Sequence, residues 1–253
     1  MKKIAIITGA TGGIGREFVK QILSCEIDEV WAVARNEQKL NGLRDEFGEK
    51  VIPVPADLSD MSGLDKLSSL LSEQKPQIRF LVNNAGLARM APSKDFSAEE
   101  ISSTIDLNCK APAILCNICI PYMKEGSSIL NVSSASSFQP TPYINLYAST
   151  KVFLRSYSRA LNVELEGTGI TVTAVCPGWV DTEMLLKEIN GKKVKFDGLV
   201  TADKVVEQAL IDASKKRDMS TYSSYVKYLR VCSKLFSQKS IMKSWMKSIR
   251  QYI

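Results

Sequence analysis

The sequence predicts a doubly wound α/β fold. A parallel β-sheet would carry helices on both faces, in a single domain with a C-terminal helical extension. Three observations predict it. Short, β-branched, apolar runs alternate with longer runs of helical spacing from residue 3 to residue 214. The apolar runs lack the polar alternation of a half-exposed strand, so each is expected to be buried on both faces. A glycine-rich turn follows the first run directly. The chain has 253 residues, and one domain of that size can bury about three quarters of the surface its unfolded form exposes.

The elements follow in order. Strands are expected over 3–8, 30–34, 51–55, 80–82, 128–133 and 171–176, where Val, Ile, Leu, Ala and Phe dominate. Helices are expected over 16–24, 40–47, about 64–74, 147–166 and 201–214, the last with Thr201 as its cap. Residues 98–123 read as mostly helical, with a bend near Pro112. The catalytic domain is thus expected over 1–214, with a lid over about 179–200, and a basic helical extension over 215–253.

Composition excludes several chemistries. Hydrophobic residues make up 45% and charged residues 24%, an ordinary globular balance. There is no histidine. That removes Ser-His-Asp and Cys-His hydrolysis and the common zinc sites, and no metal is expected. Any general acid or base must be Tyr, Lys, Asp, Glu or Cys. The cysteines, at 25, 109, 116, 119, 176 and 232, are scattered, and the apolar run after Met1-Lys2-Lys3 is too short for a signal peptide or membrane span. A reduced, cytoplasmic protein is expected, with Cys116 and Cys119 as core residues. The net charge is +6, unevenly placed: residues 215–253 hold ten basic groups and one acid, a net +9, and the first 214 residues a net −3.

Gly9, Gly13 and Gly15 sit between a strand and a helix. Such a turn allows close backbone approach, and the free N–H groups at the helix N-terminus suit a pyrophosphate. Arg35 ends the second strand, where a site for NAD usually has an acid. It could pair with a 2′-phosphate, with Arg16 as a second partner, so NADP(H) is the expected cofactor. Asp57 follows the third strand and could accept from an adenine amino group, or serve only as a turn residue.

Tyr147 and Lys151 lie at i and i+4 of a helix, on one face. A free tyrosine has a pKa of about 10, and a neighbouring ammonium lowers it. Ser133 and Ser134 end a strand, with Ser134 thirteen residues before Tyr147. Together with Thr8-Gly9-x3-Gly13-Ile14-Gly15, Asp57, Asn83-Asn84-Ala85-Gly86, Asn108 and Pro177-Gly178-x3-Thr182, these residues resemble the short-chain dehydrogenase/reductase family, across 4 to about 182. The resemblance implies a Rossmann-type fold and a ketone–alcohol oxidoreductase. It makes Tyr147 the proton donor and acceptor and Ser134 the residue that orients the reacting oxygen. Lys151 would lower the tyrosine pKa and hold the nicotinamide ribose. Asn108 would bind a water that relays protons through Lys151. It also implies that Thr8, Gly9, Thr11, Gly13, Ile14 and Gly15 cradle the cofactor phosphates. Arg35, Asp57, Leu58, Asn84, Ala85 and Gly86 would line its adenosine side. Pro177, Gly178, Val180 and Thr182 would lie against the nicotinamide and its phosphate.

In this family the substrate lies against the segments after the serine and after the Pro-Gly turn. Here these supply Phe138, Tyr143, Trp179, Met184, Leu185, Leu186, Phe196 and Leu199. They suggest a lipophilic carbonyl or alcohol, such as a steroid or acyl chain. Several of them could instead pack a lid, and Lys187, Lys192, Lys193 and Lys195 could meet an anionic group or simply be solvated. Two alternatives stand: a reductase of 3-oxoacyl groups on a carrier protein, and a catalytically inactive cofactor-binding sensor. Homodimers or homotetramers are implied, through helices near 98–123 and 147–166. In the tail, Ile241, Met242, Trp245 and Ile249 fall within about a 100° arc, with Lys239, Lys243, Lys247 and Arg250 opposite. The tail helix could dock on its own domain, on a partner subunit, or peripherally on an anionic membrane. Nucleic acid is not expected, for want of a recognition motif.

Overall fold

The computed structural model describes residues 1–185, 187–189 and 191–253. Strands β1 (Lys3–Thr8), β2 (Glu29–Ala34), β3 (Val51–Pro55), β4 (Gln77–Asn83), β5 (Met123–Val132) and β6 (Thr171–Val175) lie in one sheet. β7 (Glu188–Ile189) and β8 (Lys192–Lys193) form a separate antiparallel hairpin, and β9 (Met219–Ser220) joins the main sheet. The main sheet has the order β3-β2-β1-β4-β5-β6-β9 and every pairing in it is parallel.

The uniform hydrophobicity of the strands has its expected cause. Ala5 and Ile7 of β1 pack on one side, against Phe18, Val19 and Ile22 of α1 (Gly13–Ile22), Leu40 of α2 (Glu37–Phe47), and Val206 and Ala209 further on. Ile4 and Ile6 pack on the other side. There they join a core holding Leu64, Leu67 and Leu71 of α3 (Met61–Gln74) and residues of two later helices. Local chemistry sets several helix starts. Asn36 caps α2 by accepting from the Lys39 N–H at 2.8 Å. Ser97 and Glu100 form a reciprocal capping box on α4 (Ala98–Ile105).

The stretch 98–123 departs from its expected form. α4 passes into a π-turn over Asp106–Lys110, then α5 (Ala111–Cys119), and β5 already begins at Met123. The irregularity therefore precedes Pro112. That proline is the second residue of α5, directly after the π-turn. Cys116 and Cys119 are buried in the core, and burial pushes the Cys116 thiol up to about 12. α6 (Asn145–Glu164) starts two residues before Tyr147. Thr201 occupies the N-cap position of α7 (Ala202–Ser214), but its side chain makes no cap hydrogen bond.

The segment 215–253 is more than a helical extension, because the sheet continues into it with β9. Two helices follow, α8 (Ser224–Leu235) and α9 (Gln238–Ile249), capped by Ser223 and Ser237. Both dock on their own domain. A Cβ placed on Gly178 would lie 2.8 Å from Val226 of α8. In α9, the Trp245 indole N–H donates to the Pro142 carbonyl at 2.8 Å, and its ring stacks on Trp179 with centroids 6.4 Å apart. Ile249 is buried, and Ile241 and Met242 are half-buried. The apolar arc of α9 therefore faces its own domain. Among the described residues, no helix is long and apolar enough to cross a membrane.

Candidate active site

The sheet order puts β2 on one side of β1 and β4 on the other, so the winding reverses between β1 and β4. Ligands of open parallel sheets lie beyond the strand ends at such a reversal. Thr8 ends β1. Its hydroxyl donates to the Val82 carbonyl at 3.3 Å and accepts from the N–H groups of Asn84 and Ala85, each at 3.0 Å. The Asn84 carboxamide donates back to the carbonyls of Thr8 at 3.1 Å and Gly9 at 3.2 Å. Thr8 and Asn84, both expected near the cofactor, thus have a definite task at their side chains: they tie the two strand ends together.

The glycine turn is built on that tie. Gly9 has φ +62°, where an L side chain is strained. A Cβ on Gly15 would stand 2.1 Å from the Gly9 carbonyl oxygen, so α1 can begin this close only with glycine there. Gly12 is the N-cap of α1 and makes no side-chain cap. Phosphate oxygens are suited to the first N–H groups of a helix left in this state. Thr11 and Ile14 lie half-buried in the same turn. Thr182 closes over it, with its Cγ2 2.9 Å from the position of a Gly13 Cβ. Pro177 and Val180 are buried, and the Pro177 carbonyl accepts from the Ala135 N–H at 2.7 Å. The Pro-Gly segment therefore reaches both the glycine turn and the neighbour of Ser134.

Arg35 is exposed past the end of β2. Asp57 accepts from the Ser59 N–H at 3.0 Å and the Ser59 hydroxyl at 2.6 Å. The Ser59 hydroxyl bond is the main reason its carboxyl lies below the usual carboxylate range, and the Arg35 charge adds a smaller push. Leu58 beside it is buried. Arg16 is engaged elsewhere: it pairs with Glu46, and its guanidinium lies 5.1 Å over the Phe47 ring.

At the chemical end the two candidate serines separate. The Ser133 hydroxyl is buried and donates to the Lys151 carbonyl at 2.7 Å, fastening β5 to α6. The Ser134 hydroxyl accepts from the Ser136 N–H at 3.1 Å and faces the Tyr147 phenol. Burial raises the Tyr147 phenol above its ordinary value, and the neighbouring Ser134 hydroxyl opposes that rise. The Lys151 Nζ lies 5.5 Å from the Tyr147 ring centroid and donates to the Val132 carbonyl at 2.8 Å. Lys151 is 4% exposed, and desolvation brings its pKa down from 10.5 to about 8.

Asn108 sits in the π-turn, with its side chain fully engaged. Its Nδ2 donates to the Leu87 carbonyl at 2.9 Å and to the Thr150 hydroxyl at 3.0 Å, and its Oδ1 accepts from the Leu87 N–H at 2.8 Å. Asn108 thereby joins the loop after β4 to α6. Gly86 of that loop is close to both side chains: a Cβ there would lie 3.1 Å from the Asn108 Oδ1 and 3.4 Å from the Lys151 Nζ.

The lid carries an aromatic cluster, with Trp179 and Phe196 centroids 5.1 Å apart and Trp245 stacked on Trp179. Trp245 was legible only as part of an apolar arc, since nothing in the chain pattern points it at Pro142. Met184 and Leu199 are exposed, Phe138 lies beneath the Arg155 guanidinium, and Leu186 lies outside the described residues. Lys187 pairs with Asp181 at 3.0 Å, and Lys195 lies 4.0 Å from Asp197.

The short chain dehydrogenase family model matches residues 3–193. The chain belongs to the short-chain dehydrogenase/reductase family and is an oxidoreductase of that family. It is 32% identical over 207 residues to an uncharacterized oxidoreductase of Staphylococcus epidermidis, covering 81% of this chain and 90% of that protein. It is 31% identical over 208 residues to a sulfoacetaldehyde reductase of Chromohalobacter salexigens, covering 79% and 81%. Among solved structures, a short-chain dehydrogenase from Sphingobium yanoikuyae in complex with NADPH is 28% identical. It superposes with a TM-score of 0.77 and covers 100% of this chain and 98% of that one.

The buried Lys151 makes a measurable prediction. Its folded pKa, about 8, lies below the unfolded value of 10.5, so the unfolded chain binds more protons between them. The charged lysine therefore costs stability at neutral pH, and the cost fades as pH rises past about 8. Denaturant unfolding of the wild type and Lys151→Met at pH 7 and pH 9 tests this. The wild type is expected to gain about 1 kcal/mol on the variant over that interval. A pH-independent difference contradicts it.

Proposed function

We propose that the chain reduces a ketone to a secondary alcohol, or runs the reverse reaction, with NADP(H) on a lipophilic substrate. The observation that carries this reading is the grouping of Ser134, Tyr147 and the buried Lys151, whose Nζ lies 5.5 Å from the Tyr147 ring centroid. The bound cofactor supplies the hydride to the carbonyl carbon. The carbonyl oxygen receives its proton from the Tyr147 hydroxyl, while Ser134 donates a hydrogen bond that fixes that oxygen. A phenol held above its ordinary pKa stays protonated at neutral pH, which suits the reductive direction. Lys151, with its pKa near 8, is a nearby proton reservoir, and Asn108 holds the Gly86 loop next to it.

Cofactor preference rests on Arg35. It is exposed at the end of β2, near the Asp57 carboxylate, and could accept a 2′-phosphate bidentately. The NADPH in the Sphingobium yanoikuyae relative supports the same choice. A lipophilic substrate is supported by Trp179, Phe196 and Trp245, clustered on the segment after the Pro-Gly turn and on α9. The pairing of Lys187 and Lys195 with lid carboxylates weakens the case for an anionic substrate.

We also propose that the chain forms a homodimer across α4 and α6. Ile101 and Ile105 of α4 and Val152, Phe153 and Val163 of α6 are exposed. Phe153 stacks on Tyr157 with ring centroids 5.9 Å apart.

Three measurements test these readings. Following NADPH absorbance over a ketone panel, Tyr147→Phe is expected to lower kcat by about 100- to 10,000-fold while NADPH still binds. NADPH binding without turnover in the wild type would instead support a cofactor-binding sensor, and an unchanged rate in the variant would remove Tyr147 as the proton donor. Arg35→Asp is expected to shift the NADPH/NADH ratio of kcat/KM toward NADH by at least about tenfold. An unchanged ratio removes Arg35 from cofactor choice. In light scattering, Phe153→Glu is expected to halve the mass of the wild-type dimer, since a charge is costly to bury there. A wild-type monomer, or a variant of unaltered mass, refutes that interface.

A further inference from the structure

α8 is apolar on two opposite sides. Val226 is buried against Gly178. Tyr228, Val231 and Leu235 recur at i, i+3 and i+7 on the other side, and they are 62%, 52% and 74% exposed. Phe236, at the end of the helix, is 59% exposed. A helix docked on one domain needs only one apolar face, so this second face is unexplained by folding.

Its surroundings are cationic. Lys227 and Lys234 lie just beyond Val231 on the helical wheel, and both are exposed. α9 follows at once and exposes Lys239, Lys243, Lys247 and Arg250. The one acid in the whole segment, Asp218, is paired with Arg159 at 2.6 Å. A net +9 segment thus carries an outward stripe of large apolar side chains.

We propose that α8 docks the protein on an anionic lipid surface, with Tyr228, Val231, Leu235 and Phe236 entering the headgroup boundary. Lys227, Lys234 and the outer lysines of α9 meet the lipid phosphates. Apolar insertion combined with basic flanks is the chemistry of interfacial helices. A second copy of the chain fits the stripe less well. Symmetric pairing would bring two such cationic segments together, and like charges at close range oppose it. The contact face is that of α8, since the apolar arc of α9 is turned onto its own domain by the Trp245–Pro142 hydrogen bond.

The test uses the full chain and needs no turnover. Protein is pelleted with sucrose-loaded vesicles of phosphatidylcholine alone or mixed with phosphatidylserine. Wild type is expected to pellet with the mixed vesicles, to be released by salt, and to stay in solution with phosphatidylcholine alone. Val231→Ser/Leu235→Ser and, separately, Lys227→Glu/Lys234→Glu are each expected to lower the partition coefficient by at least about tenfold. Thermal melting by circular dichroism checks that both fold. The proposal fails if wild type ignores the mixed vesicles or if both variants pellet like wild type. It also fails if Val231→Ser/Leu235→Ser halves the mass of the protein in solution, which assigns the stripe to a second copy.

Discussion

The hydrogen bonds among Thr8, Asn84 and Ala85 are the constraint on which the rest of the site depends. They close the gap between β1 and β4 where the sheet reverses its winding. Because the Asn84 carboxamide also holds the Gly9 carbonyl, the glycine turn is fixed to β4 as well as to its own strand. The loop leaving β4 then carries Gly86 to within reach of Asn108 and Lys151. One buried hydroxyl and one carboxamide thus set the distance between the phosphate end of the site and its chemical end. Such polar contacts are strong when every group has a partner and costly when one is lost.

A second dependence runs through β5 and α6. Asn131 of β5 accepts from the Asn83 carboxamide at 2.8 Å and donates to the Ser158 hydroxyl at 2.9 Å, in the core. Ser133 adds its bond to the Lys151 carbonyl. These contacts hold α6 at one angle and depth on the sheet, and so place Tyr147 and Lys151 relative to Ser134. Burial at that depth then acts on both ionisable groups in the same sense. It favours the neutral phenol and the neutral amine, and the neighbouring Ser134 hydroxyl opposes that effect at the phenol.

Much of this was legible in the sequence because it rests on short-range periodicity. Uniform apolar runs revealed a sheet covered on both faces, and the i, i+4 spacing put Tyr147 and Lys151 on one side of α6. The choice of Ser134 over Ser133 followed from its thirteen-residue spacing to Tyr147. What was not legible depends on distant partners. Arg16 meets Glu46 across thirty positions of sequence, and Trp245 meets Pro142 across 103. β9 has only two residues, too few for any periodic signal. The π-turn at Asp106–Lys110 has the composition of ordinary helix, so nothing in its residues marks it.

The position of Trp245 separates two kinds of change open to this chain. The glycine turn, Ser134, Tyr147 and Lys151 all fall within the matched family region, which ends at residue 193. Trp245 and Tyr252 lie outside it, yet Trp245 covers Trp179 and Tyr252 donates to the Lys193 carbonyl at 3.4 Å. Part of the wall beside the lid is therefore written in a stretch of chain that carries none of the reaction. Drift in that stretch can reshape what the wall accepts while the reacting groups stay untouched. Related chains with the same chemistry can then diverge in preference by exchanging little more than their last two helices.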